Sequence, residues 1–549
     1  MDPDAVDGDA AGLQGLERAA DPPPGGLGTP GDLGGLGGLG GLGDRARRVL
    51  ADLADLRRDD LPTRGGTTTA YVFDSGLDQV DAVALRAYEL LAHVNGLDPT
   101  QFPSVARIEN DLVSIVAGQL GGDHETVGTV TSGGTESCLL AVLGARELWR
   151  RRRSTGNPRI VVPATAHAAF FKAAHLFGLK VQTVPVDPDT LRADPEQMAA
   201  AIGPRTALVV ASAPAYAYGV VDPVEPIAAA AAQWEVPCHV DACIGGWILP
   251  FLDDPPAFGL DVPGVTSIAV DLHKYGYVPK GVSVLLHRSA ELRRLHWFTL
   301  AGWAGYPLVN PTLQSSRPVG PMASAWAVQK FLGIEDHDPG AGSSPGTGGA
   351  AMPGFRSLAR SAHDAARRLA AGIDGTAGRP GIGGLRTVGD VDSTLVAFTD
   401  DGGPDDPDVR VVVDELAQRG WYLQVQPSMG TALRARRVPM TAHASITGAA
   451  AGRIDELLTA LRDSADAARA HGRVEPDAQL VEMARTIEPA ELTEEQVEGL
   501  LRLAGVGDGG HAGLPARMAP VHALVDAVPA PLAERLLAAV LSRQLTPPR

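Results

Sequence analysis

Lys274 ends a short apolar run in the stretch Ser267-Ile-Ala-Val-Asp-Leu-His-Lys-Tyr-Gly-Tyr-Val-Pro-Lys280. The run reads as a strand that passes into a turn rich in Gly and Pro. A lysine at a strand end reaches a pocket floor, and apolar surroundings lower its pKa so that the free amine becomes available for Schiff-base chemistry. Upstream, Thr131-Ser-Gly-Gly-Thr-Glu-Ser137 follows the apolar run from Val127 to Val130 and precedes a helical stretch from Cys138 to Arg150. Gly133 and Gly134 let backbone N–H groups close on an anion, the helix start adds partial positive charge, and Thr135 adds a hydroxyl donor. That is a phosphate cup without the lysine of a nucleotide P-loop. His167, just after the strand-like Arg159 to Val162, offers an imidazole that can lie flat on a planar ring. Asp241 follows the short buried strand Val236 to Val240, and open α/β sheets bind ligands beyond the carboxyl ends of their strands.

Taken singly, each feature has a plain structural use: a solvated lysine, a capped turn, a helix-start histidine, a turn-forming aspartate. Taken together they are what pyridoxal 5'-phosphate (PLP) requires of a protein: an anion cup, an amine for the aldehyde, a ring-stacking group and a carboxylate on the pyridinium nitrogen. Tyr216 and Tyr218, on the loop after another strand end, each carry a phenol suited to acid–base work or to packing under the ring. With this cofactor three outcomes stay open: decarboxylation, retro-aldol cleavage releasing an aldehyde, and aminotransfer. A catalytically silent scaffold on the same fold is the non-enzyme alternative.

Residues from about Thr67 to Met322 resemble the fold-type-I group II amino-acid decarboxylase superfamily, and within it sphingosine-1-phosphate lyase and its bacterial relatives. The resemblance rests on the cup, on Ala166-His-Ala-Ala-Phe170, on His239-Val-Asp-Ala-Cys-Ile-Gly-Gly246 and on Asp271 to Gly281. It implies a carbon–carbon lyase acting on an amine-bearing substrate, with an L-amino-acid decarboxylase or an aminotransferase as alternatives. By the resemblance Lys274 is the internal-aldimine lysine, Gly134, Thr135 and His273 hold the phosphate, and His167 stacks on the ring. Asp241 is the pyridinium partner, Tyr216 is favoured over Tyr218 as the acid–base group, and Lys280 belongs to the substrate side. Ser315-Ser-Arg317 stands where the family carries a Gly-Ser-Arg loop near the partner subunit's site, so the resemblance implies a homodimer in which Arg317 supports cofactor binding.

One departure bears on the substrate. Asn95-Gly-Leu-Asp98 stands where the eukaryotic lyases read Asn-Pro-Leu-His, and their N-terminal membrane helix has no counterpart. A carboxylate repels a phosphate dianion by several kcal/mol at low dielectric, and an Asp98–Lys280 ion pair would weaken the field further. The expectation is a smaller substrate than a phosphorylated sphingoid base. Asp98 as the cap of a helix from Pro99 onward is the competing reading.

The chain has 549 residues and a formal net charge of −18, which argues against nucleic acid and anionic membrane surfaces as partners. Its three cysteines, Cys138, Cys238 and Cys243, have spacings that suit neither a zinc site nor a disulfide framework, pointing to no metal and to a reducing cytoplasm. No segment reads as a signal peptide or a membrane span.

The expected architecture is α/β, a PLP-dependent transferase-like fold. Residues 1–45 read as a disordered Gly/Pro-rich tail and 46–125 as a helical segment. Residues 126–332 hold a large, mainly parallel sheet, with strands near 127–131, 159–162, 180–185, 207–212, 236–240, 267–271 and 283–287. A flexible insert (333–354) leads to a small α+β domain (355–472), with strands near 395–398, 421–426 and 440–446. A helical extension (473–549) carries the stripe Leu532, Leu536, Leu537, Val540 and Leu541, more suited to docking on the parent domain than to a partner.

Overall fold

The computed structural model describes residues 43–152, 156–337, 351–430, 437–503, 506 and 515–547. Most of the expected tail (1–45) and of the expected insert (333–354) lies outside the described residues. The described residues up to Asp60 form a unit by themselves, with a helix over Asp44–Leu56. The remainder, from Leu61 onward, is a second unit.

The large sheet has seven strands: β1 (Val127–Thr131), β2 (Arg159–Pro163), β3 (Lys180–Val184), β4 (Thr206–Ser212), β5 (Cys238–Asp241), β6 (Val265–Val270) and β7 (Ser283–His287). Their order is β1-β7-β6-β5-β4-β2-β3. All neighbouring pairs run parallel except those made by β7, which is antiparallel to both β1 and β6. Thr131 of β1 therefore pairs with Ser283, and Val270 of β6 with Val284, so the carboxyl ends of β1 and β6 lie at one edge of the sheet.

The central strands are buried on both faces, β4 along its whole length, so they are mostly apolar, whereas the edge strand β3 leaves Lys180 and Thr183 exposed. Val161, Val209 and Ala211 point into one core with helices Pro103–Gln119, Val224–Gln233 and Gly320–Leu332. Ile160, Val162, Leu208 and Val210, one residue out of phase, point into another with helices Gly134–Arg152 and Ala168–Phe177. Each such side chain contributes roughly 1.5–3 kcal/mol by leaving water.

A smaller antiparallel sheet of four strands (Leu385–Thr387, Leu395–Asp400, Thr441–Ser445, Gln424–Gln426 in spatial order) packs on helices Phe355–Asp374, Val409–Gln418 and Ile454–His471. Two expectations are corrected. Residues 61–77 are not helical: Gly65 and Gly66 take positive φ, and the following threonines run extended beside the small domain, with Thr69 N–H donating to Tyr422 O (2.9 Å). No helix starts at Pro99 either. Pro103 has no N–H to give to Pro99 O, so the helix begins at Pro103, where a first-turn proline is tolerated.

Candidate active site

At the shared strand edge opens a cavity of about 590 Å³, lined by residues from five strand ends and from the small domain. Gly133, Gly134, Thr135, His167, Asp241, His273, Lys274, Tyr216 and Lys280 all face it. Asp98, Arg317 and Tyr218 do not.

The cup sits between β1 and helix Gly134–Arg152. Glu136 folds back to accept from Ser132 N–H (2.6 Å), which closes the turn, and also accepts from Leu313 N–H (2.7 Å). A Cβ on Gly134 would stand 2.7 Å from Asp271 Oδ2 and from Cys243 Sγ, so only glycine fits there. A Cβ on Gly133 would stand 3.3 Å from His273 Cε1, which puts the histidine opposite the cup.

Lys274 lies in the turn after β6. The next residue anchors that turn: Tyr275 is fully buried, donates its hydroxyl to Ile446 O (2.9 Å) and accepts from Thr394 Oγ1 (2.6 Å). Lys274 Nζ is 3.0 Å from Asp271 Oδ2, and His273 Nε2 is 3.6 Å from the same oxygen. Burial alone would lower the lysine pKa, but the Asp271 carboxylate, with Cys243 and Asp241 behind it, outweighs burial and raises it above the ordinary lysine value. The expected free amine is thus an ammonium in this pocket, because its surroundings are anionic rather than apolar. Burial pushes His273 below its usual value despite Asp271, and its Nδ1 accepts from Val282 N–H (3.3 Å).

Asp241 is the last residue of β5, buried, with one oxygen accepting from Cys243 N–H (3.2 Å). His167 caps helix Ala168–Phe177 through its Nδ1, which accepts from Ala169 N–H (3.2 Å), and its exposed ring borders the cavity. Tyr216 donates its hydroxyl to Gln424 Oε1 (2.6 Å) and leans on His443, ring centroids 4.6 Å apart. Burial, with Tyr71 beside it, pushes the phenol up to about 12, so it is a proton donor at neutral pH. Tyr218 is instead packed among Leu191, Val220 and Val388.

Lys280 donates to His273 O (3.1 Å) and stands 4.6 Å from the Phe73 ring centroid. Burial, then the Lys274 cation, lowers it to about 8. The expected Asp98–Lys280 ion pair is not formed: Asp98 Oδ1 accepts from Thr100 N–H (2.9 Å) and Thr100 Oγ1 (2.6 Å), closing a turn rather than capping a helix. Arg317 is likewise a strut. It pairs with Glu109 (2.9 Å) and donates to Gly96 O (3.2 Å) and Val130 O (3.1 Å), so the 95–98 and 315–317 loops are bridged to each other.

Tyr71, Phe73, Gln424 and Ser445 line the cavity although no sequence pattern singled them out. They come from segments far apart in the chain that the small domain brings to the sheet edge.

The residues fit a phosphorylated pyridine aldehyde. The cup has room only because Gly134 lacks a Cβ, a buried carboxylate faces the cavity, and Ser212 Oγ, buried at its wall, has no hydrogen-bond partner. The fold and site together define a fold-type-I PLP enzyme.

A sequence model of the pyridoxal-dependent decarboxylase conserved domain matches residues 71–299, and one for the C-terminal helix-turn-helix region of pyridoxal-dependent enzymes matches 478–543. The chain is 33% identical over 412 residues to the sphingosine-1-phosphate lyase of Oryza sativa, covering 73% of this chain and 69% of that one. It is 35% identical over 383 residues to that of Dictyostelium discoideum, covering 69% of this chain and 65% of the other, so it spans about two thirds of these relatives. A sphingosine-1-phosphate lyase structure from Burkholderia pseudomallei superposes with a TM-score of 0.67 at 32% identity, covering 77% of this chain and 91% of that one. The chain belongs to the pyridoxal-dependent decarboxylase family, in the group related to sphingosine-1-phosphate lyases.

Proposed function

We propose that this protein is a PLP-dependent carbon–carbon lyase that breaks a bond at Cα of an amine-bearing substrate carrying an adjacent hydroxyl, and releases an aldehyde. The observation that carries this reading is one cavity shared by the Lys274 amine, the buried Asp241 carboxylate, the glycine cup and the Lys280 cation at its mouth. The relatives named above, each described as a sphingosine-1-phosphate lyase, support cleavage toward the hydroxylated carbon over loss of a carboxylate.

When bound, the cofactor supplies an electron sink for the pair released from the broken bond. The chain's residues do the rest. The Gly133–Thr135 amides and the helix start bind the phosphate, with His273 opposite. Asp241 sustains positive charge on the ring nitrogen from its buried position. Lys274 would supply the amine for the cofactor aldehyde once it gives up the proton that Asp271 stabilises. Tyr216, protonated and held by Gln424, would hydrogen-bond a substrate oxygen, and the hydroxyl proton lost as the aldehyde forms would pass to the Lys274 amine in the same cavity. Lys280 draws in an anionic group of the substrate. Asp98 gives no ground for rejecting a phosphate within the protomer, since its carboxylate is engaged with Thr100.

We also infer a homodimer. The hairpin Phe298–Leu300/Leu308–Asn310 presents Phe298, Trp303, Tyr306 and Val309 to water, each about half exposed, an apolar ribbon suited to a second copy. The bridged 95–98 and 315–317 loops are assigned to that same contact, with Arg317 supporting cofactor binding through it. Among the described residues no helix is long and apolar enough to cross a membrane; with three free cysteines, a cytoplasmic site is inferred.

Product analysis tests the reaction. PLP-loaded protein given phosphorylated and unphosphorylated amino alcohols should release a long-chain or short-chain aldehyde, more slowly in Tyr216→Phe. Carbon dioxide from amino acids with no aldehyde from any amino alcohol would replace the lyase reading with a decarboxylase.

A further inference from the structure

We propose that the cofactor-free pocket takes a soft divalent cation, of the zinc or cadmium class, on Cys138, Asp241 and Cys243, and that this cation and the cofactor exclude each other. One ligand atom from each residue lies within 4.8 Å of the other two, and all three side chains are buried. The centre of a triangle of that side is about 2.8 Å from each corner, against zinc–sulfur bonds of about 2.3 Å, so shifts of roughly half an ångström complete the contacts. Two thiolates and a carboxylate are a donor set that soft divalent cations favour.

The fold assembles the cluster from two places. Cys138 lies in the second turn of helix Gly134–Arg152, while Asp241 ends β5 and Cys243 follows two residues later. Their separation in the chain hid the cluster from any reading of cysteine spacing. Cys138, Asp241 and Cys243 all face the PLP cavity, so the cation has an entry path and an open fourth position. Lys274 and Asp271 stand beside the cluster as an ion pair (3.0 Å), so their charges oppose each other there.

Binding exchanges two S–H protons, released to solvent, for two metal–sulfur bonds, with loss of water from the cation. The exclusion half rests on the cofactor reading. A cation on Asp241 removes the carboxylate the ring nitrogen needs and sets like charge against it.

The test uses the full chain stripped of cofactor and titrated with cadmium ion alone. A thiolate-to-cadmium charge-transfer band in the ultraviolet should saturate at one equivalent per chain. It should be absent from the Cys138→Ser/Cys243→Ser double variant, whose circular dichroism reports an intact fold, and retained in Cys238→Ala. Saturating PLP should erase it. No band in the parent chain, or the same band in the double variant, overturns the site. A band that survives saturating PLP overturns the exclusion, and leaves the lyase reading to product analysis.

Discussion

At the scale of the residue, the pocket sorts two lysines six positions apart into different charge states. Lys274, against buried Asp271, is raised; Lys280, desolvated and near the Lys274 cation, is lowered to about 8. The second shift has a kinetic consequence. Lys280 is charged below that pKa and neutral above it, so an anionic substrate loses its counter-charge as pH rises. KM for such a substrate should increase as pH passes through about 8. Lys280→Arg, whose charge persists, should remove that limb, and Lys280→Met should give a high KM at every pH. Measured KM–pH profiles decide it, and an unchanged limb in Lys280→Arg would assign the titration to another group.

At the scale of the element, much was legible. Strands β1 and β7 have the bounds expected, 127–131 and 283–287, because each is built round an apolar run in a buried part of the sheet. The cup, the lysine turn and Asp241 were legible because each is a local string at a strand end. The apolar stripe of helix Ala530–Gln544 was only half legible: Leu536 and Val540 pack against the cluster of helix Glu494–Leu503 and Leu532 is buried, while Leu537 and Leu541 stay 55% exposed. Periodicity counts apolar positions but does not say which neighbour covers them. Gln424 and Phe73 were invisible, because only tertiary packing brings them to Tyr216 and Lys280. The extension docks on the small domain through a device no periodicity reveals. Buried Asp414 accepts from Met518 N–H and Ala519 N–H (both 2.9 Å), at the start of helix Ala519–Ala527, and Arg517 pairs with Glu415 (2.8 Å). Asp414→Ala should cost about 1–2 kcal/mol of that docking. Limited proteolysis should then cut the extension faster while the catalytic domain's melting holds; equal cutting rates would show that apolar contacts carry the docking.

At the scale of the whole molecule, the account asks for two copies and one covalent bond. Trp303→Glu with Val309→Glu on the exposed hairpin should convert a dimer in sedimentation to a monomer, whereas a parent chain that sediments as an active monomer would remove the dimer from the account. The central claim is that the cavity is a PLP site whose covalent partner is Lys274. Borohydride reduction of the PLP-loaded protein, followed by digestion and mass spectrometry, reads this directly. The account predicts one phosphopyridoxyl group per chain, on the peptide bearing Lys274, and none in Lys274→Ala. Label on Lys280 or another lysine, or no label at all, would contradict it.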